Sequence, residues 1–289
     1  MARFAVVSSA LSKFFWGRVM FKKSLFWMVP AVFAMVLAGC GKDEKQAAPA
    51  ATPAAPPTPA FSKIVVGLDD NFPPMGFRDA KDNSIVGFDV DLAKEAGKRL
   101  GVPVEFKPID WSSKEAELNG KRVDVLWNGL TITEERKKNI DFTPAYLENR
   151  QVIVVKAESP IKAKAALAGK IIGAQEGSSS VDAIAKDPAG KTIKEVKKYP
   201  DNVFALKDLE IGRIDALVVD EIVGRYYMNK QPGQFAILNE HFGTEEYGVG
   251  VRKGEAALLE ALTKTLDAMK KDGAAAEISK KWFGQNIVK

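Results

Sequence analysis

The 289-residue chain contains one cysteine, Cys40, and one histidine, His241. A single thiol excludes an internal disulfide and a cysteine-rich zinc or iron–sulfur centre. A single imidazole excludes a multi-histidine metal site, and a Ser-His-Asp triad would have to use His241. That residue reads as surface or structural, so no metal and no cofactor is expected. Excess charge is scarce too. The chain has 42 Lys and Arg against 37 Asp and Glu, but five of those cations (Arg3, Lys13, Arg18, Lys22, Lys23) lie in the first 40 residues, which hold no acid. Without these five the balance is 37 to 37. The basic character therefore belongs to the N-terminus and gives no argument for nucleic-acid binding.

What the N-terminus does contain is ordered like an export signal. From Met20, Lys22 and Lys23 precede an apolar run of 13 residues, 25–37. A membrane-spanning helix needs about 20 apolar residues, so this run is too short and reads as a secretory signal. It ends in Leu37-Ala38-Gly39-Cys40, which resembles a bacterial lipobox. That resemblance implies alkylation of the Cys40 thiol with diacylglycerol, cleavage before Cys40 and acylation of the new amine, giving a stable anchor. Residues 1–40 are thus expected to be a lipoprotein signal peptide. The signal is complete from Met20, so residues 1–19 read as an upstream extension or a mis-assigned start. Residues 41–60 hold five prolines and seven alanines, with no aromatic or β-branched apolar residue. Such a segment cannot bury enough surface to fold and reads as a disordered tether, reaching at most ~60 Å at ~3 Å per residue.

Residues 61–289 alternate strand-like and helical patterns, which predicts an α/β fold. Residues 64–68 form a short buried-type strand. Phe88, Leu92, Ala96 and Leu100 recur every four residues, with Asp89 and Asp91 in the first turn and Gly101 past the end, the pattern of an amphipathic helix. Leu259, Leu262, Leu266 and Met269 form a similar stripe closed by Gly273. There is also an internal echo. Leu118-x-Gly120-Lys-Arg122-Val123-Asp124-Val125-Leu126 returns in outline as Leu209-x-x-Gly212-Arg213-Ile214-Asp215-Ala216-Leu217. Each copy predicts a helix end, a glycine in the left-handed stop and a buried strand. Lys63-Ile-Val-Val-Gly67 is echoed by Lys170-Ile-Ile-Gly173. Two echoes in the same order predict two lobes of similar build. Ligands of open α/β sheets bind beyond the carboxyl ends of strands, so residues 69–72, 127–131, 175–180 and 220–221 should converge on one cleft.

Four stretches carry a resemblance: Gly87-Phe-Asp-Val-Asp-Leu92, Gly129-Leu-Thr-Ile-Thr133-x-x-Arg136, Asp141-Phe-Thr-Pro-x-Tyr146 and Gly212-Arg-Ile-Asp-Ala216. In this order and spacing, residues 61–289 resemble the bacterial solute-binding proteins of the polar amino-acid family, which serve ABC importers. The resemblance implies a type II-like periplasmic-binding-protein fold, two α/β lobes joined by two crossings and closing on a free amino acid. The crossings are expected near residues 152–156 and 246–251. One lobe then comprises residues 61–154 and 246–289, and the other residues 155–245. The implied partners are the amino acid, an ABC permease with its ATPase, and the membrane through the lipid on Cys40. The protein is expected to act as a monomer on the extracytoplasmic side.

The same resemblance suggests the site. Arg136 aligns with the arginine that grips the ligand α-carboxylate, a role that suits a planar, permanently charged fork. Read without the resemblance, it is a solvated arginine in the run Glu134-Glu-Arg-Lys-Lys138. Thr131 offers a hydroxyl, Gly129 lets its backbone approach the ligand, and Asn128 stands where relatives often carry a smaller polar residue. Asp220 takes the position of the carboxylate that pairs with the α-ammonium, and it also reads as a helix N-cap. Ser178 and Ser179, within Gly177-Ser-Ser-Ser180, precede a helical stretch and form an anion site or simple caps. Phe72 and Trp111 match the aromatic positions that sandwich the ligand side chain, although aromatic residues more often belong to a core. Asp69 matches a contact to the far end of that side chain, and Trp127 is an extra wall. Asp70 and Glu176 read as solvated.

A binding protein is the leading reading. The alternatives are a prephenate or arogenate dehydratase-like enzyme on the same fold, with Glu176 or Asp220 as its acid, and a sensor ectodomain working through a partner chain.

Overall fold

The computed structural model describes residues 61–289. The expected signal peptide, Cys40 and the expected tether lie outside the described residues. The chain forms two mixed five-stranded sheets and a small three-stranded one. In the first sheet the spatial order is Val104–Pro108, Ile64–Leu68, Val125–Leu126, Gly250–Arg252, Ile140–Phe142. The first three strands run parallel and Gly250–Arg252 runs antiparallel to both its neighbours. In the second sheet the order is Glu195–Tyr199, Ile171–Gln175, Ala216–Asp220, Leu147–Lys156, Phe235–Tyr247, with Leu147–Lys156 antiparallel to both its neighbours.

The sequence echo is a packing unit repeated in each lobe. The Asp124 carboxylate accepts the Val65 N–H, and the Asp215 carboxylate accepts the Ile171 N–H, both at 2.8 Å. A Cβ on Gly67 would stand 3.1 Å from Val123, and one on Gly173 would stand 2.6 Å from Ile214. Each glycine is therefore the face onto which the next strand's leading apolar residue packs. One detail differs from expectation. Gly212 adopts the left-handed conformation at φ 75, but Gly120 sits at φ −76 and Lys121 takes φ 58 instead. A Cβ on Gly120 would lie 2.8 Å from the Ala116 carbonyl oxygen, so glycine there provides room rather than a turn.

The helix Phe88–Leu100 ends as the pattern predicts, with Gly101 left-handed at φ 71. In Ala256–Lys271 the buried stripe uses Leu258 rather than Leu259, together with Leu262, Leu266 and Met269. The first passage between sheets requires a larger correction. Residues 152–156 lie inside the second sheet, residues 152–154 pairing with Ala216–Asp220 on one side and residues 154–156 with Phe235–Tyr247 on the other. The chain leaves the first sheet at Phe142 and enters the second at Leu147, so the passage is residues 143–146. The return runs over residues 248–249, between strands ending at Tyr247 and starting at Gly250. The apolar run Val152–Val155 belongs to a strand that begins earlier in polar residues, which is why the sequence suggested a later boundary.

Candidate ligand-binding site

Nine residues from both lobes enclose one small cavity: Phe72, Trp111, Gly129, Thr131 and Arg136 from the first, and Gln175, Ser178, Ser179 and Asp220 from the second. All four segments beyond the strand ends contribute. The cavity measures about 10 Å³, room for about one water, so the lobes are closed on each other. A much larger opening, about 650 Å³, lies between Glu221–Lys230 and the C-terminal residues. There the Glu221 carboxylate is already matched by Arg150 and Arg225, and the convergence of strand ends favours the smaller space.

Local chemistry places each group. Thr133 caps the short helix Glu134–Lys137, its Oγ1 accepting the Arg136 N–H at 3.1 Å. Arg136 itself is 7% exposed, unlike a solvated arginine in a charge run. Its guanidinium donates to the Thr131 carbonyl at 2.8 Å and, across the cleft, to the Gly177 carbonyl at 3.1 Å. Burial lowers its pKa, opposed by the carboxylates of Glu245 and Asp220 among others. Gly129 stands at φ 58, and a Cβ there would come within 2.9 Å of the Phe72 ring. Its N–H donates to Asp89 Oδ2 at 2.7 Å, which also accepts the Tyr146 hydroxyl at 2.9 Å. A fully buried carboxylate thus fixes the loop that presents Thr131.

Asp220 is 5% exposed and precedes the helix Glu221–Lys230 without a side-chain capping bond. It faces Asn149, Gln151 and the Tyr247 hydroxyl instead. Burial, with Glu245 beside it, pushes its pKa well above the usual carboxylate range. Ser178 does not cap through its side chain either, since its hydroxyl donates to the Gln175 carbonyl at 2.7 Å. Ser179 Oγ meets Thr131 Oγ1 at 3.0 Å across the lobes.

Two expected contacts sit behind the cavity wall. The Asp69 carboxylate accepts Gln175 Nε2 at 2.6 Å, and burial raises its pKa to about 6. Asn128 accepts the Asp69 N–H at 3.0 Å and so shapes that loop rather than lining the space. Trp127 belongs to the core. Glu176 is exposed and Asp70 pairs with Arg78.

The sequence placed Gln175 in a segment at the cleft without giving it a contact, and it missed Glu245, Asn149, Gln151 and Lys114. Asn149 and Gln151 alternate on one strand and Glu245 faces Asn149 in register, a period-two polar pattern that could have exposed them. Lys114 Nζ donates to the Gly177 carbonyl at 2.7 Å and to the Trp111 carbonyl at 3.2 Å. Burial, then Arg136, lowers its pKa to about 7.

Comparison with known proteins bears on this geometry. Residues 64–285 match the model of the bacterial extracellular solute-binding proteins, family 3. The L-cystine-binding protein TcyJ of Escherichia coli strain K12 is 36% identical over 228 residues, covering 78% of this chain and 84% of the relative. The structure of an ABC uptake transporter substrate-binding protein from Streptococcus pneumoniae with bound histidine superposes with a TM-score of 0.76 at 36% identity, over 78% of this chain and 94% of that one. An ancestral arginine-binding protein bound to glutamine gives 0.73 at 44% identity, over 78% and 99%. These relatives are substrate-binding proteins and not enzymes. The chain belongs to the bacterial extracellular solute-binding proteins of family 3.

Proposed function

We propose that this protein, an amino-acid-binding component of an ABC uptake transporter, captures a free polar amino acid between two closing lobes while anchored to the membrane through lipid on Cys40. The observation that carries the reading is the meeting of Arg136 and Asp220, from opposite lobes, at one enclosed space walled by Phe72 and Trp111. A guanidinium fork suits a carboxylate, and a buried carboxylate suits an ammonium. An α-amino acid carries both of these groups, so one molecule can engage both residues. Asp69 behind Gln175 favours side chains with cationic or amide donors, namely arginine, lysine or glutamine. Relatives named for arginine and glutamine, and one structure with bound histidine, are consistent with that class. Thermal-shift screening against the free amino acids tests the reading. A ligand at 100 times its dissociation constant adds about 2.7 kcal/mol of stability, and no shift with any amino acid would refute it. Mass spectrometry of the mature protein tests the anchor: Cys40 should be N-terminal and acylated, and Cys40→Ser should leave the protein uncleaved or shed from membranes.

A further inference from the structure

Asp220 and Glu245 reach the same place from different strands. Asp220 Oδ1 accepts from Asn149 Nδ2 at 2.7 Å and from Gln151 Nε2 at 3.1 Å. Glu245 Oε1 accepts from those same two nitrogens, each at 2.8 Å. Two oxygens held by one pair of nitrogens are neighbours, and carboxylates that close resist ionising together unless a cation joins them. The remaining donors are neutral: the Tyr247 hydroxyl on Asp220 and the Thr131 hydroxyl on Glu245.

The surrounding cations are engaged elsewhere. Arg136 donates to the Thr131 and Gly177 carbonyls, and Lys114 to the Trp111 and Gly177 carbonyls. On the strand Leu147–Lys156, Arg150 is held by both oxygens of Glu221 at 2.6 Å. Lys289 serves Glu148 and Glu246. Among the described residues no cation hydrogen-bonds to Asp220 or Glu245.

We propose that Asp220 and Glu245 share one proton when no ligand is bound, and that the α-ammonium of an amino acid, entering beside them, expels that proton to solvent. Glu245 is then a specificity-determining residue of the return strand, and capture is linked to proton release. The step breaks only the shared O–H bond: the ammonium enters intact, both carboxylates ionise and the buffer takes the proton. The inference rests on reading the cleft as an amino-acid site. The raised pKa of Asp220, caused by burial and then by Glu245, agrees with it.

Calorimetry of the mature protein with L-glutamine and with L-arginine, in buffers of different ionisation enthalpy, counts the protons. The wild type should release about one proton more per ligand than Glu245→Gln. Its association constant should rise with pH by up to about tenfold per unit relative to that of the variant. Asp69 and Lys114, which also titrate near the cleft, are present in both proteins and cancel in the difference. Binding by the wild type without proton release, or with the same release in both proteins, overturns this inference and leaves the proposed function standing. Failure of every free amino acid to bind overturns both.

Discussion

Gln175 of one lobe donates its amide to the Asp69 carboxylate of the other at 2.6 Å, closing the far end of the cavity. A ligand side chain with a donor of its own would compete for that carboxylate, directly or through Gln175. A hydrogen bond to a charged group is worth about 1.5–3 kcal/mol and a neutral one about 0.5–1.5. Asp69→Asn should therefore cut the preference for arginine over glutamine by about 1 kcal/mol, or roughly fivefold. The proposed contacts of Arg136 and Asp220 are untouched, so glutamine affinity should change less. An unchanged affinity ratio in calorimetry would show that Asp69 does not read the side chain.

Arg136 gives a larger effect. Removing one partner of a buried charge pair costs ~2–5 kcal/mol, much of it from the charge left behind. Arg136→Ala should weaken binding by roughly 30-fold to several thousand-fold. Arg136→Lys should recover little, since a point charge cannot span the two directions that the guanidinium uses toward Thr131 and Gly177. Near-wild-type affinity in either folded variant would refute the carboxylate assignment.

Arg136 and Asp220 were singled out through the resemblance alone, since each also had a local reading, a solvated arginine in a charge run and a helix cap. The capping reading of Asp220 was equally available in the sequence, and only the side chain's direction toward Asn149 and Gln151 decides against it. Glu245, Asn149 and Gln151 carried only a period-two polar pattern, which did not single them out. They lie on the two long strands Leu147–Lys156 and Phe235–Tyr247, where polar residues alternate with charged ones that do face outward, such as Glu148 and Glu246. Lys114 reads as solvent-facing in any sequence, and its burial depends on Gly177, 63 positions away. The misplaced first crossing has the same origin: the paired partner that makes residues 147–151 a strand is distant in sequence.

Asp89 ties stability to pH. Its carboxyl is fully buried, accepts from Gly129 and Tyr146 through Oδ2, and has no partner for Oδ1. Burial raises its pKa to about 7, against about 4 in an unfolded chain. The folded state thus holds the proton more tightly. This contribution to stability is full below about pH 4 and is lost as pH rises through 7. Asp89→Asn keeps a carbonyl acceptor and cannot ionise, so its stability should depend less on pH than the wild type's across that window. Asp89→Ala strands two buried donors, at about 1–3 kcal/mol each. Denaturant titrations at pH 4 and pH 8 measure both effects. Parallel pH slopes in the wild type and the Asn variant would count against the assignment.

The closed cavity of about 10 Å³ sets the last expectation. An amino acid cannot enter a space for one water, so the lobes must part about the passages at residues 143–146 and 248–249. Closing restores contacts that need both lobes: Arg136 to Gly177, Thr131 to Ser179, and Gln175 to Asp69. A ligand that touches both sides favours the closed form by the difference in its affinity for the two forms. Free protein should therefore populate open conformations, and saturating arginine should draw it toward the compact state. For a compact chain the length of residues 61–289, the radius of gyration is about 17 Å. Small-angle scattering of a version spanning residues 61–289 should approach that value with ligand and exceed it without. Identical curves at saturation and in its absence would mean that the lobes do not move, and that the ligand enters by a route these strands do not provide.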